Sequence, residues 1–572
     1  MNQKAPYSVY QFEAVFIQEY VFGGGKIKTM VGASELIEAI THPLLDEAIE
    51  KLGLRSKEIE SLPQKGELNL SEAEVVFPRR AGGVFMMISQ NQEKMAAFAQ
   101  LWPILVNQFA PGLRFSAAMD TDNTLAEATK KVRHQLNHQK NQPQTFLPES
   151  TPLTVRYQKT GLAQVEAPKR NKKTGADWTT KAKLSHSFKS LADKHLANNQ
   201  FQDNTFTFPR ALNHEPESTK GYWRENFPFK STDPGNHSVA IIHTDGNGLG
   251  LYVQKVFAAL NQLTPAEYVR GYAQFSQGLQ AATQKAAQSA TSWLIEQYRP
   301  ETNPYKAEIK DEKVLPLPMR PLILGGDDLT CIVRADYALG FVQAFTKAFE
   351  RETAEFLARL STLNNALPDK LTCTTGMIFI RSNQPFYLAY QLAEALCSEA
   401  KKVGQNSINK SSTNTPIPPS LIYFLHTTNT LFDTLDVQIK QELQTTNNQY
   451  LTLCPYAFQP KQGRPTLQQL YELKTYFDKA RDDKLKPSAI RNYAGHLHQD
   501  PHYAQVFWDR WKKRMTDDGA KTRKSWDAFE DLWQQMIDEH PAPNHMPVAD
   551  LVTLFSLDIQ APEASSNRET NG

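Results

Sequence analysis

The sequence predicts an α+β chain that uses one β-α-β-β-α-β order, the ferredoxin-like pattern, twice and then closes with a helical bundle. Three observations predict it. Over residues 7–125, short apolar runs alternate with longer segments whose apolar residues recur at three-and-four spacing. The same alternation returns over 236–428. From 429 the spacing is helical throughout. A chain of 572 residues exceeds a single core, so several domains are expected. The expected division is 1–125, a first α/β unit; 126–235, a polar and basic connecting region; 236–428, a second α/β unit; 429–557, a helical domain; and 558–572, a disordered tail.

The first unit opens with YSVYQFEAVFIQEYVF, which begins strand-like, and GASELIEAITHPLLDEAIEKL follows as a helix. AEVVFPRR and GGVFMMIS form paired strands around a turn containing Arg79, Arg80, Gly82 and Gly83. NQEKMAAFAQLWPILVNQFA is a second helix and GLRFSAAM a last strand. The second unit begins with strand VAIIHT and two helices, LYVQKVFAALNQL and YVRGYAQFSQGLQAATQKAAQSATSWLIEQY. A Pro-rich loop leads to strands PLILGG and LTCIVRA, a long helix from Tyr337, strand LTCTTGMIFI, helix FYLAYQLAEALCSEAKKV and strand SLIYFLHT. The final region carries five short helices with apolar stripes, as in a small bundle.

Charge and composition exclude some classes. A net charge of +2 gives no strong overall field, so contact with nucleic acid needs a local patch. Such a patch is one reading of 156–194, where Arg156, Lys159, Lys169, Arg170, Lys172, Lys173, Lys181, Lys183, Lys189 and Lys194 face only Glu166, Asp177 and Asp193. The plainer reading is a solvated face or linker. The cysteines at 331, 373, 397 and 454 form no CxxC pair, so buried reduced thiols are expected rather than a zinc ribbon or disulfide framework. MNQKAPYSVY lacks the layout of a signal peptide, and no apolar run reaches the ~20 residues that span a bilayer. A cytoplasmic protein without membrane contact is expected.

Two stretches carry chemistry. In 238-SVAIIHTDGNGLG-250 a buried-type strand ends on Asp245 amid glycines, and in 321-PLILGGDDLTCIV-333 a Gly-Gly turn is followed by Asp327 and Asp328. Alone, the second is an ordinary hairpin signal. In a β-α-β-β sheet, however, the first strand lies beside the central hairpin, so the three carboxylates are expected to meet at one edge. Gathered carboxylates repel, and hard divalent cations with oxygen ligands relieve that repulsion. Two such ions can clamp an in-line phosphoryl transfer. Gly246, Gly248 and Gly250 would clear space for a triphosphate, and the helix beginning near Leu251 would add its positive end. Lys401 and Lys402, near the end of AEALCSEAKKVGQN, are either cations at a helix C-terminus or phosphate contacts.

DGNGLG after a strand, GGDD in a hairpin and AEALCSEAKK on the next long helix resemble the palm shared by nucleotidyl cyclases and polymerases. The nearest likeness is to the large polymerase-like subunit of type III CRISPR effectors. YVFGGGKIKTMVGASELIEAI resembles that family's first palm, while PLILGGDDLTCIVRADYAL and TCTTGMIFIRSNQPFYLAYQLAEALCSEAKK resemble its second. The resemblance implies a metal-dependent nucleotidyltransferase making cyclic oligoadenylate from ATP for antiviral defence. It implies Asp245, Asp327 and Asp328 as ligands of Mg²⁺ or Mn²⁺, and Gly246, Asn247, Gly248, Gly250, Gly325, Gly326, Lys401 and Lys402 at the nucleotide. A ribose hydroxyl of one ATP would attack the α-phosphate of another, with pyrophosphate leaving. Implied partners are the nucleotide and RNA or guide-RNA effector subunits. The GGDD and AxxAK elements also resemble diguanylate cyclases, which pair two half-sites, so a homo-oligomer is a further alternative.

Three departures accompany the resemblance. The chain begins at the palm-like strand and contains no His-Asp dipeptide, so the DNase activity of many relatives is not expected. Residues 126–235 hold no cysteine, so the zinc module found between many palms is not expected. In the first unit the turn reads Arg80-Ala81-Gly82-Gly83-Val84-Phe85 without carboxylates, which marks a non-catalytic partner. The competing reading is a silent palm that binds nucleotide or RNA as a scaffold. Weaker candidates are His243, expected as a packed strand histidine; His496, His498 and His502 near Asp500, expected in a polar loop; and 503-YAQVFWDRWKKRM-515, expected as a bundle helix.

Overall fold

The computed structural model describes residues 6–24, 26–142, 154–158, 161–166, 175–186, 206–209, 212, 227–229, 237–298, 315–360, 367–406, 417–427, 430–460, 463–479 and 485–560. The first sheet contains β1 (Tyr7–Val15), β2 (Arg55–Ser56), β3 (Glu74–Ala81), β4 (Val84–Ser89) and β5 (Arg114–Asp122), in the order β2-β3-β4-β1-β5. β1 runs antiparallel to β4 and β5, and β3 antiparallel to β4. That is the ferredoxin-like order with one short strand added. Arg79 and Arg80 belong to β3 itself; the turn is only Gly82-Gly83, both at positive φ. Packed on this unit are α1 (Ile17–Phe22), α2 (Ile27–Thr41), α3 (Pro43–Lys51), α4 (Gln92–Phe109) and α5 (Leu125–Lys140).

Two details depart from the sequence reading. The helix expected from Gly32 to Leu52 is two helices, broken at His42 because Pro43 disfavours helical geometry in the residue before it. In the segment expected to be a polar connection, α5 packs on β1 and β5. Thr124 caps it, and Leu125, Ala128, Val132 and Leu136 form its buried stripe. Further on, α6 (Trp178–His186) lies so close to α2 that a Cβ on Gly32 would stand 1.7 Å from the Lys183 carbonyl oxygen. Lys183 is buried, with its ammonium on the Tyr20 carbonyl, so this member of the basic run is structural and not a phosphate contact. Arg156 and Lys181 are exposed. The other basic residues of the run, and the tail from 561, lie outside the described residues. Two small sheets, β6 (Gln164–Glu166) with β7 (Ala176–Asp177) and β8 (Phe206–Thr207) with β10 (Leu315–Pro316), complete this region.

The second sheet contains β9 (Ser238–Gly246), β11 (Met319–Gly325), β12 (Asp328–Arg334), β13 (Cys373–Arg381), β14 (Leu421–His426) and β15 (Tyr456–Ala457), in the order β11-β12-β9-β13-β14-β15. Its first four strands repeat the order of the first sheet. β9 is central and antiparallel to both neighbours, with Leu329 opposite Thr244 and Thr374 opposite Asp245. Because β15 pairs with β14, the sheet continues past residue 428, where the second unit was expected to end. The helices are α7 (Leu249–Leu260), α8 (Pro265–Gln297), α9 (Ala335–Ala358) and α10 (Phe386–Asn406). α8 begins with the Thr264/Glu267 capping box and Pro265. It also ties the two units together: Arg270 donates to the carbonyls of Ile59 and Leu62, and Gly66 N–H donates to Thr264 Oγ1 at 3.0 Å. Phe22 of α1 packs on Tyr390 of α10 with ring centroids 4.0 Å apart.

The C-terminal region holds α11 (Leu435–Glu442), α12 (Leu467–Lys479), α13 (Pro487–Gln499), α14 (Pro501–Asp517), α15 (Ala520–Glu539) and α16 (Val548–Ser556). Trp511, Trp526 and Phe529 meet edge to face in its core, with Trp533 tilted against Phe529, so the aromatic-basic helix is a bundle helix. All four cysteines are buried and free.

Three consequences are measurable. A Cβ on Gly376 of β13 would meet the Ala393 carbonyl oxygen at 1.9 Å and the Cys397 nitrogen at 2.4 Å, so α10 seats directly on the strand backbone. Gly376→Ala is expected to cost about 3 kcal/mol or more in urea unfolding. Gly495→Ala, inside α13 with open space around it, is expected to stabilise by up to about 1 kcal/mol. Asp550 is buried and accepts from Thr452 Oγ1, the Leu453 N–H and Tyr456 Oη; burial pushes its pKa up to about 6. A raised folded-state value makes its contribution complete below the unfolded value near 4 and lost as pH rises through 6. Wild-type stability is expected to fall by up to about 3 kcal/mol from this group between pH 4 and 7, and Asp550→Asn to remove that slope.

Candidate active site: an acidic triad between two sheets

Strand pairing gathers the carboxylates. Thr244 lies opposite Leu329, so one further step brings Asp245 of β9 across from Asp328, the first residue of β12. Asp327 sits in the turn that closes β11 onto β12, where Gly325 pairs with Asp328 and Gly326 takes φ 63°. Ligand oxygens of Asp245, Asp327 and Asp328 lie within 4.8 Å of one another. The carboxyl of Asp245 lies close enough to both others for their charges to act on one another. Gly246 makes the approach feasible, since a Cβ there would stand 2.5 Å from Asp327 Oδ2.

The electrostatics follow from burial and crowding. Asp328 is pushed well above the carboxylate range by burial and then by the charges of Asp327 and Asp245. Asp327 is pushed up to about 7 by burial and then by Asp245. Burial acts upward on Asp245 as well, but Lys401 outweighs it and holds that carboxyl low. Lys401 ion-pairs with Asp245 and donates to the Gly246 carbonyl at 2.8 Å. His243, two residues earlier on the same face, is buried and pushed down to about 4, first by desolvation; its Nδ1 meets Thr330 Oγ1 at 3.1 Å. It is a packed, neutral strand histidine.

Several expected contacts lie elsewhere. Asn247 is buried and consumed by the scaffold: it donates to Thr372 Oγ1 and the Pro419 carbonyl and accepts from Thr374 Oγ1 at 2.8 Å. Its amide thus ties the turn to β13 and the chain before β14. Lys402 is exposed and pairs with Glu399 at 3.1 Å, away from the triad. The lysines do not end their helix, because α10 runs on to Asn406; a role at its C-terminus is excluded. Gly248 supplies the left-handed N-cap of α7, φ 68°, and Gly250 has open space beside it. The α7 helix starts at Leu249, two residues earlier than expected. Among the described residues, no metal-ligand group of three or more other than the triad is present; Asp500, near the C-terminal histidines, caps α14 through the His502 N–H.

Two cavities flank the acidic turn. One, about 420 Å³, lies between the units and is lined by Phe16, Ser34, Gln284, Arg320 and others. The second, about 160 Å³, is lined by Arg79, Tyr272, Ser276 and Asp327 among others. Gly82, Gln280, Gly325 and Asp328 line both. The two hairpin turns therefore meet tip to tip: a Cβ on Gly325 would stand 3.6 Å from Gly82 Cα. Sequence reasoning missed Arg79, which lines a cavity with Asp327 from across the interface, and Glu394, an exposed carboxylate that feels the charge of Asp245. Glu394 stands seven residues before Lys401 on α10, a spacing that puts both on one helix face. Nothing in the sequence signals Arg79.

Residues 238–409 match the family model described as Cas10/Cmr2, second palm domain. The chain carries a Cas10/Cmr2-type second palm. This palm spans β9 to the end of α10 and contains all three carboxylates and Lys401. No curated protein matches the chain. Solved structures with a similar fold include a Csm1-Csm4 cassette in complex with cA4, at 12% identity, covering 97% of this chain and 70% of that one, TM-score 0.46. A cassette with pppApApA aligns at 12% identity over 97% and 69%, TM-score 0.47. Csm1 in T. onnurineus aligns at 13% identity over 98% and 70%, TM-score 0.44. No described helix is long and apolar enough to cross a membrane.

Lys401→Ala would leave the second palm's partly buried carboxylates without their lysine. In the presence of EDTA it is expected to cost about 1–3 kcal/mol at pH 8 and less at pH 5, where protonation relieves the repulsion. Denaturant midpoints at the two pH values check this; equal losses would contradict it.

Proposed function

We propose that the chain is a metal-dependent nucleotidyltransferase that joins ATP into a cyclic oligoadenylate messenger in type III CRISPR-like antiviral defence. One observation carries the reading: Asp245, Asp327 and Asp328 converge at the rim of the second palm, beneath two cavities that open toward a second sheet of the same order. Their donor set is oxygen only, which fits Mg²⁺ or Mn²⁺ and lacks the nitrogen and sulfur ligands typical of zinc. A bound divalent cation would neutralise charge on the reacting phosphates. The family of the second palm supplies the product class, with ATP as substrate.

The chain's own residues bind and orient. Gly248, Gly250, Gly325 and Gly326 leave backbone open to phosphate oxygens, Gly246 makes room for Asp327, and the α7 N-terminus adds its positive end. Lys401 is the phosphate-facing lysine, held beside Asp245 until substrate arrives. The first unit, without carboxylates at its own turn, is the non-catalytic wall of the site. Both halves come from one chain, so paired copies of the kind diguanylate cyclases use are not required. The expected partners are nucleotide and effector subunits of a guide-RNA complex.

The test is product analysis after incubation with ATP and Mg²⁺ or Mn²⁺, with and without candidate RNA. Asp327→Ala with Asp328→Ala is expected to lower product at least about a hundredfold while the thermal transition persists. Unchanged turnover rejects the site. Wild-type protein that binds RNA tightly yet makes nothing would favour the scaffold reading instead.

A further inference from the structure

The non-catalytic sheet places a cation over the acidic turn. Arg79 stands on β3, opposite Met86, one strand-end away from the Gly82-Gly83 turn that touches Gly325. It lines the 160 Å³ cavity whose other polar groups are Tyr272, Ser276, Gln280, Asp327 and Asp328. Its neighbour Arg80 faces elsewhere, tied to the carbonyls of Thr41 and His42 and to Asp46 at 2.7 Å. Arg79 instead shares the lining of that cavity with Tyr272 and Asp327. The acids within its field are Glu13 and Asp327. Glu13 already holds Lys140 and Gln11. Asp327 belongs to the metal-ligating triad.

A second arginine stands behind the first. Arg133 of α5 lies over the Phe257 ring, within the field of Arg79, and its Nη2 is buried with no hydrogen-bond partner. Two guanidinium groups brought together repel; Glu13 offsets part of that repulsion, and a further anion would offset more of it. Once Asp327 ligates a cation, the group best able to supply that anion is a phosphate in the cavity. Guanidinium is the side chain whose fork matches phosphate oxygens in pairs.

We propose that Arg79, reaching across from the non-catalytic sheet with Arg133 behind it, grips phosphate oxygens of the nucleoside triphosphate held at the acidic turn. The assignment rests on the nucleotidyltransferase reading. It gives the first unit a specific role, which is to complete the phosphate site from the side opposite the carboxylates. Lys401 approaches from α10 on the far side of the triad, so the two cations flank the phosphates from opposite units.

The experiment titrates α,β-methylene-ATP, which cannot lose pyrophosphate, into the full chain with Mg²⁺ by calorimetry. Arg79→Gln is expected to weaken binding at least about tenfold and Arg133→Gln severalfold, with thermal unfolding in the absence of nucleotide confirming the fold. Should Arg79→Gln not fold, Arg79→Lys decides: it keeps stem and charge but loses the fork, and a threefold or greater loss is expected. Affinity within twofold of wild type in the folded Arg79 variant overturns the assignment. A parallel ATP turnover assay separates the two readings. Wild-type protein that forms product while Arg79→Gln keeps its affinity defeats the arginine assignment alone. Wild-type protein that forms none, while Arg79→Gln loses affinity, defeats the synthase and leaves the phosphate grip standing. No binding to wild-type protein overturns both.

Discussion

Three carboxylates held within 4.8 Å of one another are a standing electrostatic cost, and much of this molecule is arranged around them. The sheet order places β9 beside β12, so the acids cannot move apart without breaking the central ladder. Lys401 relieves one of them, and burial drives the other two toward the protonated state. A core strand pair thus fixes the position of charges that water would otherwise disperse. That rigidity is what a cation site needs, since ligands already in place lose no conformational entropy on binding.

The second constraint is the docking of the two units. α2 is buried nearly all round because it lies among α6, α1, α3, β3 and β11, and α8 reaches from the second unit to β3. Arg270 and the Gly66–Thr264 contact fasten that helix to the segment between β2 and β3. Two sheets of the same order therefore face each other through their hairpin turns, one acidic and one not. One cation, Lys401, faces the acids from their own unit, and Arg79 of β3 lines a cavity with Asp327 from the unit without them.

Legibility in the sequence varied with the range of the interaction. Ala and Leu spacing announced α9 and α10, and the apolar run before Asp245 announced β9, because periodicity is a local property. The stripe Leu125, Ala128, Val132, Leu136 was equally readable, yet the polar residues around it drew the segment into the connecting region. Asn247 was misplaced because its neighbours are glycines of the turn, while its own amide is claimed by Thr372, Thr374 and Pro419, more than 100 residues on. Lys402 was separated from Lys401 only by the 100° that successive helix residues turn.

The sequence by itself determined the double ferredoxin-like order, the buried thiols and the identity of the three acids, since each rests on patterns within a strand, a turn or a helix. The tertiary structure alone decided which cation faces which acid. Lys183 is buried on a carbonyl, Lys401 pairs with Asp245, and Arg79 looks across at Asp327 from a strand some 250 residues away. Coulomb energy depends on separation in space, and separation along the chain does not encode it.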